Sequence, residues 1–197
     1  MLLLGLACAN LPPRELDDLC GIFAEKQEWR GAALLAEERW GVELPVLMAV
    51  LHQESRFRAR ARPGWRMLLG VIPFGPASSA YGYGQVQAGT WEDYERLTGR
   101  TGARRDRFED VVDFVGWYAN VIERSAGVAK GDAYHLYLAY HEGPTGYQHR
   151  SFEAKPWLLG VAQKVRDRAD LYEHQRNECA APSVASASAP ASPSAAR

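Results

Sequence analysis

Cysteine is scarce in this 197-residue chain: there are three, and no Cys-x-x-Cys pair. The five histidines fall at no recognised ligand spacing, so neither a structural zinc site nor any other metal or cofactor is expected. An apolar run long enough to cross a bilayer is also missing, since the Leu-rich start Met1 to Cys8 is too short. Charge of one sign is not in excess. The net charge of −1 and a pI near 6.5 argue against a protein that coats nucleic acid. No sustained period-2 alternation marks an extended sheet, and no fixed-period repeat marks a solenoid.

What is present is ordinary globular material, 47% hydrophobic and 24% charged, enough for one domain. Six Trp and nine Tyr are a rich supply of rings, which pack cores and also stack on the apolar faces of sugars. Three segments are expected. Residues 1–10 form a truncated signal-like segment. It resembles the tail of a bacterial lipoprotein signal, with Cys8 as the lipidated residue, although it lacks a basic leader. The alternative is a short hydrophobic N-terminus without an export role. Residues 180–197, almost wholly Ala, Ser and Pro, cannot bury enough apolar area to offset their ordering entropy and read as a disordered tail. The domain is then 11–179. With Cys8 set aside, Cys20 and Cys179 remain at its two ends. They are either a disulfide that clamps the termini, as export would allow, or two separate buried thiols.

Within the domain the apolar spacing is helical. Leu16, Leu19, Cys20 and Phe23 share a face, as do Trp29, Ala33, Ala36 and Trp40. Pro45 suits the first turn of a helix that carries Leu47, Val50, Leu51 and Glu54 on one stripe. Asp106 with Glu109 has the capping-box spacing ahead of Phe108, Val111, Val112, Val115 and Ile122. Asp132 is placed to cap a helix through Leu136, Tyr137 and Tyr140, closed by Gly143-Pro144. A last helix carries Leu158, Val161, Ala162, Val165, Ala169 and Tyr172. Between them, Ala59 to Gly89 is a long Gly/Pro loop whose Trp65, Phe74, Tyr81 and Tyr83 suit one wall of a cleft. At most, Leu68 to Phe74 adds a short β-hairpin.

Glu54 is the most informative residue. It projects from the face that should be buried, near a helix C-terminus. Burial and the negative end of the helix dipole both disfavour its charged form. A carboxyl that holds its proton near neutral pH is what glycosidic cleavage requires. The competing reading is a rim glutamate paired with Arg56 or Arg58. The letters around it favour the first. Ala49-Val50-Leu51-His52-Gln53-Glu54-Ser55-Arg56-Phe57 resembles the catalytic helix of lytic transglycosylases with the soluble-lytic-transglycosylase (SLT) fold, in the lysozyme-like superfamily. The turn Ala80-Tyr81-Gly82-Tyr83-Gly84-Gln85-Val86 is similar to that family's Gly-x-x-Gln element. Ala139-Tyr140-His141-Glu142-Gly143 is similar to its Ala-Tyr-Asn-x-Gly helix end, with His141 where the family has Asn. The three occur in the family's order over about Pro45 to Tyr147, and the whole resembles a lipoprotein-like subgroup.

The resemblance implies a mainly α, lysozyme-like domain that acts on peptidoglycan glycan strands. Glu54 is then sole acid and base, and the product carries a 1,6-anhydro-muramic acid end. It implies substrate-binding roles for Gln85, Tyr140, His141 and Tyr83, and a positioning role for Ser55; Tyr140 could hydrogen-bond the acid itself. A monomer in the periplasm is expected, attached to the outer membrane only through a lipid on Cys8, with no nucleic-acid partner. Two alternatives stay open. A hydrolytic muramidase of the same fold would use Glu142, Glu92 or Asp93 as a second carboxylate. A non-catalytic scaffold would only bind cell-wall glycan. The arginines Arg56, Arg58, Arg60, Arg62 and Arg66 read as a solvated surface that could attract acidic stem peptides or phosphate-bearing polymers.

Overall fold

A computed structural model describes residues 11–68, 72–76 and 78–180. The lipobox-like Cys8 and the tail from residue 181 onward lie outside the described residues. The domain is mainly helical: α1 (Leu19–Glu25), α2 (Gln27–Trp40), α3 (Leu44–Ser55), α4 (Ala88–Thr98), α5 (Phe108–Ala126), α6 (Ala133–Gln148) and α7 (Pro156–Ala180). A short 3-10 turn, Ser151–Ala154, precedes α7. The sole sheet among the described residues is a hairpin in the long loop, β1 (Trp65–Leu68) antiparallel to β2 (Ile72–Pro76), with a bulge between Arg66 and Met67.

α3 is the buried axis. Every residue from Leu44 to Leu51 is in the core, so its pattern is apolar all round rather than striped. It packs on α7, α2 and α5, while α2 crosses α5 and α6 lies between α5 and α7. The buried start of α3 needs a partner for its free N–H groups. Glu37 of α2 accepts from the Leu44 N–H at 3.3 Å, and Arg176 of α7 grips the same carboxylate at 2.8 and 2.9 Å. Pro45, which has no N–H, sits in the first turn. α1 meets the end of α7, where Cys20 is joined to Cys179 with their Cα atoms 5.4 Å apart.

Two of the expected helix boundaries differ. Asp106 and Glu109 do not form a capping box. The N-cap of α5 is Arg107, with no side-chain cap, because neighbouring guanidiniums capture both carboxylates: Arg104 takes Asp106 at 3.0 Å and Arg107 takes Glu109 at 2.8 Å. Gly143-Pro144 does not close α6. The chain kinks at Gly143 (φ 73°, ψ 160°), and Pro144 begins a second helical stretch that runs to Gln148. The Asp132 cap forms as expected, accepting from the His135 N–H at 3.0 Å.

Candidate active site

The last turn of α3 ends abruptly, and the ending sets the site. Arg56 and Phe57 both take left-handed conformations (φ 53° and 57°), which cost roughly 1–2 kcal/mol each for non-glycine residues. The Phe57 ring, fully buried and 5.7 Å from Trp29, offsets part of that cost. Three carbonyls of the last turn take identified donors. Arg56 N–H donates to His52 at 2.8 Å, the Ser55 hydroxyl to Leu51 at 3.3 Å, and Arg58 Nε to Ser55 at 2.9 Å. Gln53 and Glu54 are thereby fixed at the edge of the core, where they line a cleft of about 630 Å³. Its other walls come from Phe114 and Tyr118 of α5, Tyr137, Tyr140 and His141 of α6, Gln85 to Gln87 of the loop, and Trp157 with Val161 of α7.

Removal from water pushes the Glu54 carboxyl up from an ordinary 4.5 to about 7, and a hydrogen bond with the Tyr137 side chain pulls the other way. The group can therefore hold or release a proton near neutrality. Burial also holds the phenols of Tyr118, Tyr137 and Tyr140 above the ordinary tyrosine range, the last two further raised by the Glu54 charge. All three are thus neutral donors at physiological pH.

Tyr140 lines the cleft but does not bond the acid. Its hydroxyl donates to the Gly84 carbonyl at 2.9 Å, and Tyr137, one turn earlier on the same face of α6, is the tyrosine bonded to Glu54. The approach at Gly84 is close: a Cβ there would stand 3.0 Å from both the Tyr140 oxygen and the Val111 side chain, so these neighbours would have to give by a few tenths of an ångström. Gln85 also lines the cleft, at φ 47°. Its side-chain nitrogen donates to the Ala61 and Gly82 carbonyls at 3.0 and 2.9 Å, so this amide braces its own loop. Arg105 adds bonds to the Ser79 and Val86 carbonyls at 2.8 and 2.7 Å.

Gly82 has φ 80°, and a Cβ there would lie 1.8 Å from the Arg105 carbonyl oxygen. Gly82→Ala is therefore expected to cost about 2–4 kcal/mol of stability and to disorganise the Gln85 wall. The matched control is Gly89→Ala, which meets nothing within 4 Å and should be neutral or slightly stabilising. Urea unfolding of both variants checks the contrast; equal stability would contradict the close approach at Gly82.

Two of the expected site residues do not line the cleft. Tyr83 is buried, edge-on to Trp29 at 5.6 Å and to Phe108 at 5.8 Å, so it anchors the loop in the core. Ser55 is 1% exposed and turned back onto its own helix, where it can position Glu54 only through the backbone. The expected His141 does line the cleft, with Nδ1 2.9 Å from Glu142 and its ring 5.3 Å from Trp157.

Glu142 borders the same cleft with a side chain only 4% exposed. Burial alone would raise its pKa, but hydrogen bonds from Lys155 (2.7 and 2.9 Å), Ser151 and His141 outweigh it and hold the group down at about 2. A carboxylate so stabilised is a poor general base. Glu92 and Asp93 are exposed on α4 and take no part in the cleft lining, Asp93 pairing with Arg96 at 2.6 Å. Among the described residues, no three His, Cys, Asp or Glu side chains lie together as metal ligands would.

Sequence reasoning missed Tyr137, Tyr118 and Trp157. The first had a signal, three positions before Tyr140 on one helix face. The other two come from helices whose distance in sequence concealed their meeting.

A family model described as a transglycosylase SLT domain matches residues 1–179. Comparison with curated proteins finds no match.

Proposed function

Since the chain belongs to the transglycosylase SLT domain family, we propose that it cleaves peptidoglycan between N-acetylmuramic acid and N-acetylglucosamine, with Glu54 as both acid and base. Neutral Glu54 gives its proton to the glycosidic oxygen as the bond from C1 breaks. The carboxylate left behind then takes the proton of the muramic acid 6-hydroxyl as that oxygen bonds to C1. The 1,6-anhydro ring closes without water, and Glu54 ends with the proton it began with. One carboxyl must therefore serve at both extremes of its titration, which suits a pKa near neutrality.

The observation that carries this reading is the position of Glu54, a carboxyl pushed up to about 7 inside a cleft whose other carboxylate, Glu142, is locked in an ion pair. Tyr137 orients the acid, while Tyr140 and Gln85 hold the loop that walls the sugar site. On this reading the enzyme works in the bacterial envelope, where its substrate lies, and a lipid on Cys8 would hold it at the outer membrane.

Mass spectrometry of fragments released from intact sacculi tests the chemistry. Anhydro-muramic ends are expected. Reducing ends in their place would make the protein a muramidase, and binding without release would make it a scaffold.

A further inference from the structure

Trp157 is unusual within the fold. It is 58% exposed, whereas the other Trp, Tyr and Phe side chains of residues 11–64 and 78–179 are buried or half-buried, yet it borders the cleft. Its backbone is firmly held. Pro156 starts α7 immediately before it, and the Leu158 N–H donates to the Lys155 carbonyl at 2.8 Å to close the first turn. Lys155 in turn grips Glu142, and Glu142 takes Nδ1 of His141. This chain of charged bonds ties the start of α7 to the kinked end of α6. The imidazole meets the indole at 79° with centroids 5.3 Å apart, and most of the indole surface stays open to solvent. Val161, one turn along α7 on the same face, extends the apolar strip into the cleft.

A largely exposed indole on a held backbone, beside a polar ring, suits the weakly apolar C–H face of a hexopyranose, whose hydroxyl and amide groups point outward from the ring's rim. We infer that Trp157 and His141 form a glycan subsite continuous with the catalytic cleft, in which the Trp157 face carries one sugar ring of the strand and the Lys155–Glu142 pair fixes His141 beside it. This rests on the reading of the cleft as a peptidoglycan site. In this assignment Trp157 and His141 touch the sugar, and Glu142 and Lys155 are positioning residues that act through His141.

Binding measured apart from cleavage separates the subsite from the mechanism. Soluble, uncrosslinked glycan strands are titrated calorimetrically into Glu54→Gln protein and into the same protein carrying Trp157→Ala, Trp157→Phe or Trp157→Leu. The alanine variant is expected to bind about tenfold more weakly, with an unchanged melting temperature because the side chain is largely exposed. Phenylalanine, which keeps an aromatic face, should recover most of the affinity, and leucine should not. Alanine affinity within twofold of the parent, or leucine matching phenylalanine, overturns the subsite while leaving the catalytic reading in place. Failure of the Glu54→Gln parent to bind strands at all overturns both.

Discussion

Glu54→Gln is expected to lower release of anhydro-muropeptides by at least about 10²–10⁴-fold, the span usual for a general acid–base, without loss of stability. Glutamine keeps the size of the side chain and its contact with Tyr137 but has no transferable proton. No other carboxyl in the cleft can replace it, because Glu142 remains an ion-paired carboxylate with a pKa near 2. The pH dependence follows from the same shift. Wild-type activity should decline as the pH rises above about 7, where the acid form is lost.

Stability moves with pH in the same sense. Below 4.5 Glu54 is protonated whether folded or unfolded, so it contributes nothing. Between 4.5 and about 7 the unfolded chain releases this proton while the folded chain keeps it, so stability falls as the pH rises, and the penalty is complete above 7. The glutamine variant escapes that penalty and should be more stable at pH 8 by on the order of 3 kcal/mol. His52 acts in the opposite direction. Burial first, then the nearby Arg168 charge, holds it down at about 4, so its contribution is lost as the pH falls from 6.5 through 4. Both proteins share His52, so the difference between their urea-unfolding curves across pH isolates Glu54. A stable Glu54→Gln protein that releases anhydro ends at near the wild-type rate would refute the mechanism.

The acid was legible because its chemistry contradicts its helix. A carboxylate on a face of Leu and Val is a local conflict, and local conflicts mark functional sites. The helices were legible for the same kind of reason, since 3.6-residue spacing is written in consecutive letters. α4 was the exception among them: only Trp91 and Tyr94 are buried along it, too few to mark a face. The partners of Glu54 were less legible because a motif gives residue types and order but not which way a turn points. The loop from Gly82 to Gln85 sends Tyr83 into the core and Gln85 to the cleft, an alternation fixed by the Arg105 carbonyl lying where a Gly82 Cβ would be. Competition among charges was likewise invisible. Asp106 and Glu109 have the spacing of a cap, but each accepts from the arginine two residues before it, and spacing alone does not say which donor wins.

Opening the Cys20–Cys179 bond is expected to have the largest effect on stability. The two residues are 159 positions apart, so the bond closes nearly the whole domain into one loop and removes much of the freedom of the unfolded chain. In the chain-entropy model a loop of that length contributes on the order of 4–5 kcal/mol. Reduction, or the double substitution Cys20→Ser with Cys179→Ser, should therefore lower the melting temperature by roughly 10–15 °C for a domain of this size. The junction would not fall apart at once. Gln175 bonds the Leu19 N–H at 2.8 Å and the Asp17 carbonyl at 2.9 Å, and Arg168 pairs with Asp17. These contacts persist in the reduced protein, and the cleft is built from the far end of α7 with α3, α5 and α6, so activity well below the melting point should be retained. Urea unfolding of oxidised and reduced protein, paired with sacculus digestion at low temperature, reads both quantities. A stability change under about 1 kcal/mol would mean that the α1–α7 contacts alone restrain the ends. Loss of activity in a protein that is still folded would mean that the clamp reaches the cleft through α7, whose first turn carries Trp157.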